Sequence, residues 1–297
     1  MSTSTSPQRT HRYLRLAIGG TVVVIFVAVL AAVPAFGWLS AISDYFYTPA
    51  RNAFVGALIA ASLALLALSG RGAERVILDA AALFAPLVAL VPTVIGSGSV
   101  PGVDVPCSPC VPPVARPDVA NGVVTYLVVL AVVLAVALVL RTLGQAPGSL
   151  FSIILGVIVL VLVTVTGLIA PEAFLSFAHV SATVIFFGLI AADAVLNAFW
   201  RTSSRTPPRW LRITYIAIAA VLVVDMIVLL AATFARRDAD GAAPPWILVG
   251  EAVALVVFLL FWILQTWQRW DEDDPASLLP ADRRLPPLRR AQATVDR

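Results

Sequence analysis

Residues 150–170 read LFSIILGVIVLVLVTVTGLIA, a run of 21 residues without a charged side chain. At a rise of about 1.5 Å per residue, a helix of this length crosses roughly 30 Å of hydrocarbon. The apolar residues of this run do not alternate with polar ones, as they would in a transmembrane β-strand. The run therefore predicts a transmembrane α-helix.

Similar runs recur along the chain of 297 residues, of which 60% are hydrophobic and 12% are charged. A soluble domain is about half apolar and a quarter charged, so this composition and a mean hydropathy of +0.95 exclude a soluble globular protein. We predict an all-α, polytopic integral membrane helix bundle with about eight transmembrane helices. The predicted spans are 14–35, 53–69, 76–95, 122–140, 150–170, 179–200, 213–234 and 246–267.

The chain is expected to divide into a tail over 1–13, the helix bundle over 14–267 and a disordered tail over 268–297. The proline and charge content of the last segment argues against a packed core. The basic residues before the first run resemble the start of a signal sequence, with cleavage near Ala35 as the alternative. That run is longer than an ordinary signal-peptide core, so we expect a retained first span.

All 20 basic residues are arginine, which excludes a lysine Schiff base. With the N-terminus in the cytoplasm, sixteen arginines fall in inner loops and tails and four fall outside. Arginine favours the cytoplasmic side, so we expect a multi-pass protein of the plasma (inner) membrane with both termini cytoplasmic. The charges are spread over short loops and do not form the clustered basic face that nucleic acid requires, so we expect no nucleic-acid partner.

The longest outer loop, 96–122, contains Cys107 and Cys110, the two cysteines of the chain. The loop is expected in an oxidising compartment, where a local structural disulfide forms. A redox role for this C-x-x-C pair is the alternative, although no βαβ pattern surrounds it. A metal site would need further ligands, and none lies nearby in the sequence, so we expect no metal and no cofactor.

Four acidic residues fall inside predicted spans, where an unpaired charge costs a few kcal/mol. Asp79 is expected to pair with Arg75, one helical turn earlier. Asp193 lies on the same helix face as Asn197 and is expected to line an inner vestibule or to bind neighbouring helices. Asp225 lies near the membrane midplane without a local partner, so it must be protonated, hydrogen-bonded to another helix or exposed to a polar cavity.

A second group of polar residues is expected on the outer side, at similar depth. The first outer loop and the segment between the fifth and sixth spans contribute most of them, and the last span contributes one. Side chains from several helices could assemble a site here and only here. The candidate ligand- or proton-binding residues are Asp44, Arg51, Glu172, His179 and Glu251 in this outer group, with Asp225 below them and Asp193 deeper still.

Two short patches carry a family resemblance. Ile42-Ser43-Asp44 follows the first span, and Glu172 precedes His179-Val180-Ser181-Ala182 and Phe186-Phe187 in a later one. Here the sequence resembles the DRAM-like membrane proteins and, more broadly, the CREST group. The DRAM-like resemblance implies a non-enzymatic protein that affects membrane lipid organisation. The hydrolases of the CREST group use three histidine metal ligands, and this chain has two histidines in total, so their metal chemistry is not carried over.

Three functions follow as hypotheses. The leading one is a non-enzymatic membrane protein with an outward-facing polar pocket that binds a lipid or small ligand, with membrane lipids as partners and a protein partner through the C-terminal tail or the outer loops. The second is a proton-coupled transporter that uses Asp225 and Asp193 at different depths. The third is an intramembrane hydrolase with His179 and Asp44 or Glu251 as base and acid, for which the sequence offers no evident nucleophile and hence no catalytic residue.

Overall fold

The computed structural model describes residues 6–69, 72–107, 109–144, 150–199, 207–237 and 246–270. Most of the predicted C-terminal tail, 271–297, and residues 1–5 of the N-terminal tail lie outside the described residues. The described part contains eight α-helices and no β-strand. The helices are α1 (Ser6–Phe36), α2 (Arg51–Leu68), α3 (Ala73–Leu90), α4 (Arg116–Thr142), α5 (Leu150–Ile169), α6 (Pro171–Phe199), α7 (Arg209–Arg237) and α8 (Trp246–Gln268).

Seven of these helices are long and apolar enough to cross a membrane. The remaining one is α3, whose 18 residues include Glu74, Arg75 and Asp79. α3 also runs the length of the bundle, because it is antiparallel to α2 and joins the end of α2 to the loop before α4. The hydroxyl of Ser62 on α2 donates a hydrogen bond to the Ala82 carbonyl of α3 at 2.7 Å. The predicted polytopic helix bundle is confirmed.

The two ends of the bundle carry different features. At one end, α1 and α8 bring both terminal segments together, since the Arg12 Nε donates a hydrogen bond to the Trp270 carbonyl at 2.7 Å. The same guanidinium lies over the Trp270 ring, 4.5 Å from its centroid. We call this the terminal end, and we call the opposite end, which carries the Cys107–Cys110 loop, the disulfide end. The described start of α1 and the described end of α8 therefore lie on the same side of the bundle.

Six helices form a closed ring in which α1, α2, α3, α6, α7 and α8 each contact the next, and α8 returns to α1. The α4–α5 hairpin packs outside this ring, against α3 and α6. Only 17% of the residues in the most apolar window of α4, and likewise of α5, are buried in the protein. These two helices therefore turn most of their apolar surface to lipid.

Two helix bounds differ from the prediction because of proline. α6 begins at Pro171 and not near residue 179, since proline suits the first position of a helix. α3 ends at Leu90 and not near residue 95, because Val91 precedes Pro92 and takes an extended conformation with φ −103° and ψ 110°. The segment 171–178, predicted as a loop, is therefore helical.

Hydrogen bonds hold the loops of the disulfide end together. The Tyr47 hydroxyl donates to the Thr93 carbonyl at 2.6 Å, and burial raises the pKa of that hydroxyl above its usual range. The Leu248 amide donates to the Ser40 carbonyl at 2.8 Å. Ile95 and Cys110 form an antiparallel bridge with hydrogen bonds of 3.0 and 3.1 Å. The loop after α3 is thereby fixed against the segment that connects α1 and α2.

Candidate functional site

A cavity lies inside the six-helix ring, toward the disulfide end. It has a deep compartment, lined by residues of all six ring helices, and a loop compartment, lined by α6, α7, α8 and the loops above them. The volume open to the centres of water molecules is about 70 Å³ in the deep compartment and about 50 Å³ in the loop compartment. One water needs about 10–15 Å³ by this measure. Both compartments are lined by Ser43, His179, Thr183, Met226, Leu229 and Glu251.

The walls of the deep compartment are mainly apolar. Phe186 and Phe187 of α6 and Phe258 of α8 meet there, with ring centroids 5.2 to 6.3 Å apart. Ala61 and Ala85, both almost fully buried, line the opposite wall from α2 and α3. Such a surface favours a hydrocarbon chain over water, because it offers water no hydrogen-bonding groups and burial of apolar surface is favourable.

Glu251 lies at the polar end of the cavity and is held by Ile42 and Ser43. The Ser43 amide donates to Glu251 Oε2 at 2.9 Å, and the Ser43 hydroxyl donates to Oε1 at 2.7 Å. Charge-assisted hydrogen bonds of this kind are stronger than neutral ones. Ser43 therefore fixes the orientation of the carboxylate and joins the start of the Ser43–Tyr47 3₁₀ turn to α8.

His179 lines both compartments from α6 and is buried. Its Nδ1 lies 2.8 Å from the Val91 carbonyl oxygen, so Nδ1 carries a proton and donates it to that acceptor. The bond uses a carbonyl at the end of α3 that the helix itself leaves without a partner. His179 thus has a structural role in joining α6 to α3 as well as a place in the cavity wall.

Thr183 supplies a hydroxyl that the protein leaves without a partner. Thr21, Thr233 and Thr266 donate to carbonyls three or four residues earlier in their helices. Thr183 Oγ1 is buried and has no hydrogen-bond partner among the described residues, although the residue lines both compartments. Buried polar atoms are usually hydrogen-bonded, so this hydroxyl is available to a ligand or a water in the cavity.

Asp44 and Asp225 lie beside the cavity and do not line it. Asp44 is fully buried behind Ser43, where its Oδ2 accepts a hydrogen bond from the Ser40 hydroxyl at 2.8 Å. Asp225 is partly buried on α7, and its Oδ2 has no hydrogen-bond partner among the described residues. A Cβ added to Gly250 of α8 would lie 3.1 Å from Asp225 Oδ1, so the carboxyl group packs against the backbone of α8.

Two of the candidate residues lie outside the cavity, in ion pairs at the surface of the disulfide end. Arg51 Nη1 lies 2.7 Å from Asp118 Oδ2, and its guanidinium lies over the Phe46 ring. Glu172 Oε1 lies 2.6 Å from Arg116 Nη1. These side chains are partly to largely exposed, and such pairs contribute about 0–1 kcal/mol each. Arg51 and Glu172 lie at the disulfide end of the bundle but do not line the cavity.

Asp193 belongs to a separate buried group at the terminal end, which we call the terminal cluster. Arg269 Nη2 lies 2.9 Å from Glu74 Oε1, and the same nitrogen donates to Asn197 Oδ1 at 2.6 Å. Gln265 Nε2 lies 3.5 Å from Asp193 Oδ2. The members come from α1, α3, α6, α8 and the turn after α8, and each is at most 4% exposed. They are Arg15, Glu74, Asp193, Asn197, Gln265 and Arg269.

An aromatic layer separates the cavity from the terminal cluster. On α8, Phe258 lines the deep compartment, Trp262 follows one turn later, and Gln265 of the terminal cluster comes next. Phe261 lies 5.3 Å from Trp262 between ring centroids and 5.9 Å from Tyr215 of α7. Neither Asp193 nor Asp225 is among the residues that line the cavity.

Asp79 pairs with Arg75 as predicted, at 3.6 Å between Oδ2 and Nε. The Ser152 hydroxyl of α5 also donates to Asp79 Oδ2, at 2.7 Å. The Asp79 carboxylate therefore has one partner on α3 itself and one on α5 of the α4–α5 hairpin. This arrangement supports a structural role for Asp79.

Cys107 and Cys110 form a disulfide, and the turn they close lies over the loop compartment. Pro109, between the two cysteines, is one of the lining residues. The turn is a part of the cavity wall and has no neighbouring base or nucleophile among its described contacts.

The hydrolase hypothesis requires a nucleophile beside a base. Ser43 shares the cavity with His179, but its hydroxyl donates to Glu251. Within the described part of the chain, neither Ser43 nor Ser181 is hydrogen-bonded to His179. No group of three or more His, Cys, Asp or Glu residues there could hold a metal ion.

Sequence reasoning missed several residues of these sites. Ser43 lies in the short motif after the first predicted span, and nothing in the sequence pairs it with Glu251. Thr183 is one of many hydroxyls in apolar helices. Arg15 lies at the start of the predicted first span and Arg269 in the predicted C-terminal tail, so neither is an obvious partner for a buried polar group. The helix face shared by Asp193 and Asn197 is the one signal in the sequence that polar groups from other helices should meet there. Comparison with protein-family models, curated proteins and solved structures gives no match to this chain.

Proposed function

We propose that this protein is a non-enzymatic, multi-pass membrane protein that binds a lipid or small amphipathic molecule in the cavity of the six-helix ring. The observation that carries the proposal is the division of the cavity into an apolar deep wall and a polar end. The polar end offers the Glu251 carboxylate and the unpartnered Thr183 hydroxyl. The deep wall offers four phenylalanines, which are Phe54, Phe186, Phe187 and Phe258.

An amphipathic molecule satisfies both parts of such a cavity at once. Burial of its alkyl chain against the deep wall removes apolar surface from water, which is favourable by about 25 cal/mol for each Å² buried. Its polar head hydrogen-bonds the groups that would otherwise stay unsatisfied, which is the usual source of orientation in small-molecule sites. The resemblance to DRAM-like proteins, which implies an effect on membrane lipid organisation, belongs to the same proposal.

We place the protein in the plasma membrane with the disulfide end outward and both termini in the cytoplasm. The arginine distribution supports this orientation, and so does the disulfide, since disulfides persist in oxidising compartments. In this orientation the cavity faces outward. Membrane lipids are then the expected partners, and the C-terminal tail would present its arginines to the inner leaflet or to a protein.

Transport is the second candidate. A cavity toward one end, with an aromatic layer and a buried charge cluster closing the other, is what one state of an alternating-access protein would show. In that case Asp193 would act in the closed end and not on a path through Asp225. A protein that binds its ligand without transporting it requires no rearrangement of the terminal cluster. Ligand binding is therefore the simpler proposal.

The proposal is tested by native mass spectrometry of protein extracted from membranes in mild detergent. The wild type should retain an adduct of lipid or metabolite mass. Ala254→Leu adds bulk to a cavity wall residue that is 1% exposed and should lose the adduct. Ala135→Leu, on the exposed surface of α4, is the matched control and should keep it. Equal adducts in all three proteins would contradict a cavity site.

A further inference from the structure

We propose that the cavity ligand is a cationic amphiphile, a molecule with an alkyl chain and a positively charged, hydrogen-bond-donating head such as an alkylammonium. The inference rests on the proposed function and names the chemical class of its ligand. The head would contact Glu251, and the chain would lie among Phe186, Phe187 and Phe258.

The charge of the lining residues supports a cationic head. Glu251 and His179 are the ionisable residues that line the two compartments, and no arginine lines either. The chain contains no lysine. Asp44 lies directly behind Ser43 and interacts electrostatically with Glu251. The polar end of the cavity therefore offers an acidic side chain with no arginine beside it, a lining that suits a cationic head better than a carboxylate or phosphate head.

The hydrogen-bonding capacity of the same residues supports a head that donates. Each Glu251 oxygen accepts one hydrogen bond from Ser43, and a carboxylate oxygen has about two acceptor sites. Glu251 also accepts a backbone hydrogen bond from Ile42, so three of the about four acceptor sites of the carboxylate are used and one stays open to a further donor. His179 donates from Nδ1 to Val91, and in a neutral imidazole the other nitrogen, Nε2, is an acceptor. An ammonium group has donors and no acceptor, which matches these partners.

The depth of the polar groups sets the direction of the ligand. Ser43 belongs to the turn above α2, and Glu251 lies five residues after Trp246 begins α8, so both mark the disulfide end. The phenylalanines lie one to two turns further along α6 and α8. A chain that extends from Glu251 toward Phe258 follows α8 into the ring, and the head stays near the loops and the water beyond them.

The test uses three probes with the same eight-carbon chain: octylammonium, octanol and octanoate. Binding is measured by equilibrium dialysis against wild-type protein in neutral-lipid nanodiscs, with empty nanodiscs as the partition control. We expect octylammonium to bind roughly tenfold more tightly than octanol, as a charged hydrogen bond would give, and octanoate to bind most weakly. Glu251→Gln should bring the three affinities to within about threefold of each other. Glu172→Gln, which changes a carboxylate outside the cavity, should leave the order intact.

Each result separates the two proposals. Equal binding of all three probes to the wild type, abolished by Ala254→Leu, would support a cavity for amphiphiles and overturn the cationic head. Preference for octanoate would overturn it as well and would point to His179 as the head-binding group. Binding of no probe above the empty-nanodisc level would contradict both the cationic ligand and the proposed function. Loss of the octylammonium preference in Glu172→Gln would show that surface charge, and not Glu251, causes it.

Discussion

Ser43 and Glu251, 208 positions apart in the chain, form a two-point contact in which the amide and the hydroxyl of Ser43 donate to the two carboxylate oxygens of Glu251 at 2.9 and 2.7 Å. The contact connects the segment between α1 and α2 to the last helix of the ring. It also places a carboxylate at the polar end of the cavity in a fixed orientation. The closure of the ring and the chemistry of the cavity therefore depend on the same pair.

Removal of the Ser43 hydroxyl should weaken the fold and disorient Glu251. We expect Ser43→Ala to lower the free energy of unfolding by about 1–3 kcal/mol, the range for a hydrogen bond to a charged group. Thermal unfolding in detergent measures this loss. Ser69→Ala is the control, because the exposed Ser69 hydroxyl donates to Leu66 at the end of its own helix. Its melting temperature should stay close to that of the wild type, and equal melting temperatures of the two variants would contradict the prediction.

The terminal cluster should respond to the loss of one charged partner far more than a surface pair does. Arg269→Met leaves Glu74 buried without its main partner and should cost about 3–5 kcal/mol. Arg116→Met breaks an exposed pair with Glu172 and should cost about 1 kcal/mol or less. The double variant Glu74→Met with Arg269→Met should recover part of the loss. If denaturation midpoints show equal effects of Arg269→Met and Arg116→Met, the cluster does not stabilise the bundle.

Two carboxylates inside the membrane should behave in opposite ways. Asp193→Val removes a buried member of the terminal cluster and takes one hydrogen-bond partner from each of Gln265 and Asn197, so stability should fall by about 1–3 kcal/mol. Asp225→Val removes a carboxylate without a hydrogen-bond partner among the described residues, so stability should be unchanged or higher by about 1–3 kcal/mol. Unfolding curves of the two variants compare these effects. A destabilised Asp225→Val would reveal a partner for that carboxylate.

The disulfide should be dispensable for the fold. It joins residues only three positions apart, and closing so short a loop stabilises a protein by about 2 kcal/mol or less. The Ile95–Cys110 backbone bridge does not depend on the sulfur atoms. The double variant Cys107→Ser with Cys110→Ser should therefore keep its helical circular dichroism signal, with a modest drop in melting temperature. Collapse of that signal would show that the turn is essential.

The proposed orientation is tested with single cysteines in a Cys107→Ser, Cys110→Ser background. A cysteine at Val114, which is exposed at the disulfide end, should react in intact cells with a maleimide that cannot cross membranes. A cysteine at Leu143, exposed at the terminal end, should react only after the cells are opened. The reverse pattern would invert the orientation and place the cavity toward the cytoplasm.

Much of the fold can be read from the sequence because transmembrane helices satisfy their backbone internally. The run over residues 150–170 became α5 almost unchanged, and the i, i+4 pair Arg75–Asp79 formed as expected. Contacts within one helix depend on local spacing, which a single sequence displays. Pro171 shows the limit, since the same residue suits both a loop and a first helical position.

The closed ring and its two polar sites could not be predicted in the same way. They depend on which helix faces meet, as when Gln265 and Glu74 approach across 191 positions. The apolar faces of transmembrane helices are similar to one another, so hydropathy does not predict which helices pack together. Glu251 and His179 line the same cavity, although His179 lies two turns inside α6 and not at its start, where the sequence placed it. The neighbours of Asp193 in the terminal cluster, such as Gln265, come from other helices, so their positions in the sequence did not reveal them.

Photocrosslinking tests the central claim, that the six-helix ring holds an amphiphile, most directly. A diazirine at the end of an alkylammonium chain is activated in nanodiscs, and the labelled peptides are mapped by mass spectrometry. We predict labelling at cavity residues such as Phe258, Met226 and Thr183, which excess unlabelled octylammonium removes. Labelling confined to the lipid-facing surfaces of α4 and α5, without competition, would contradict the claim.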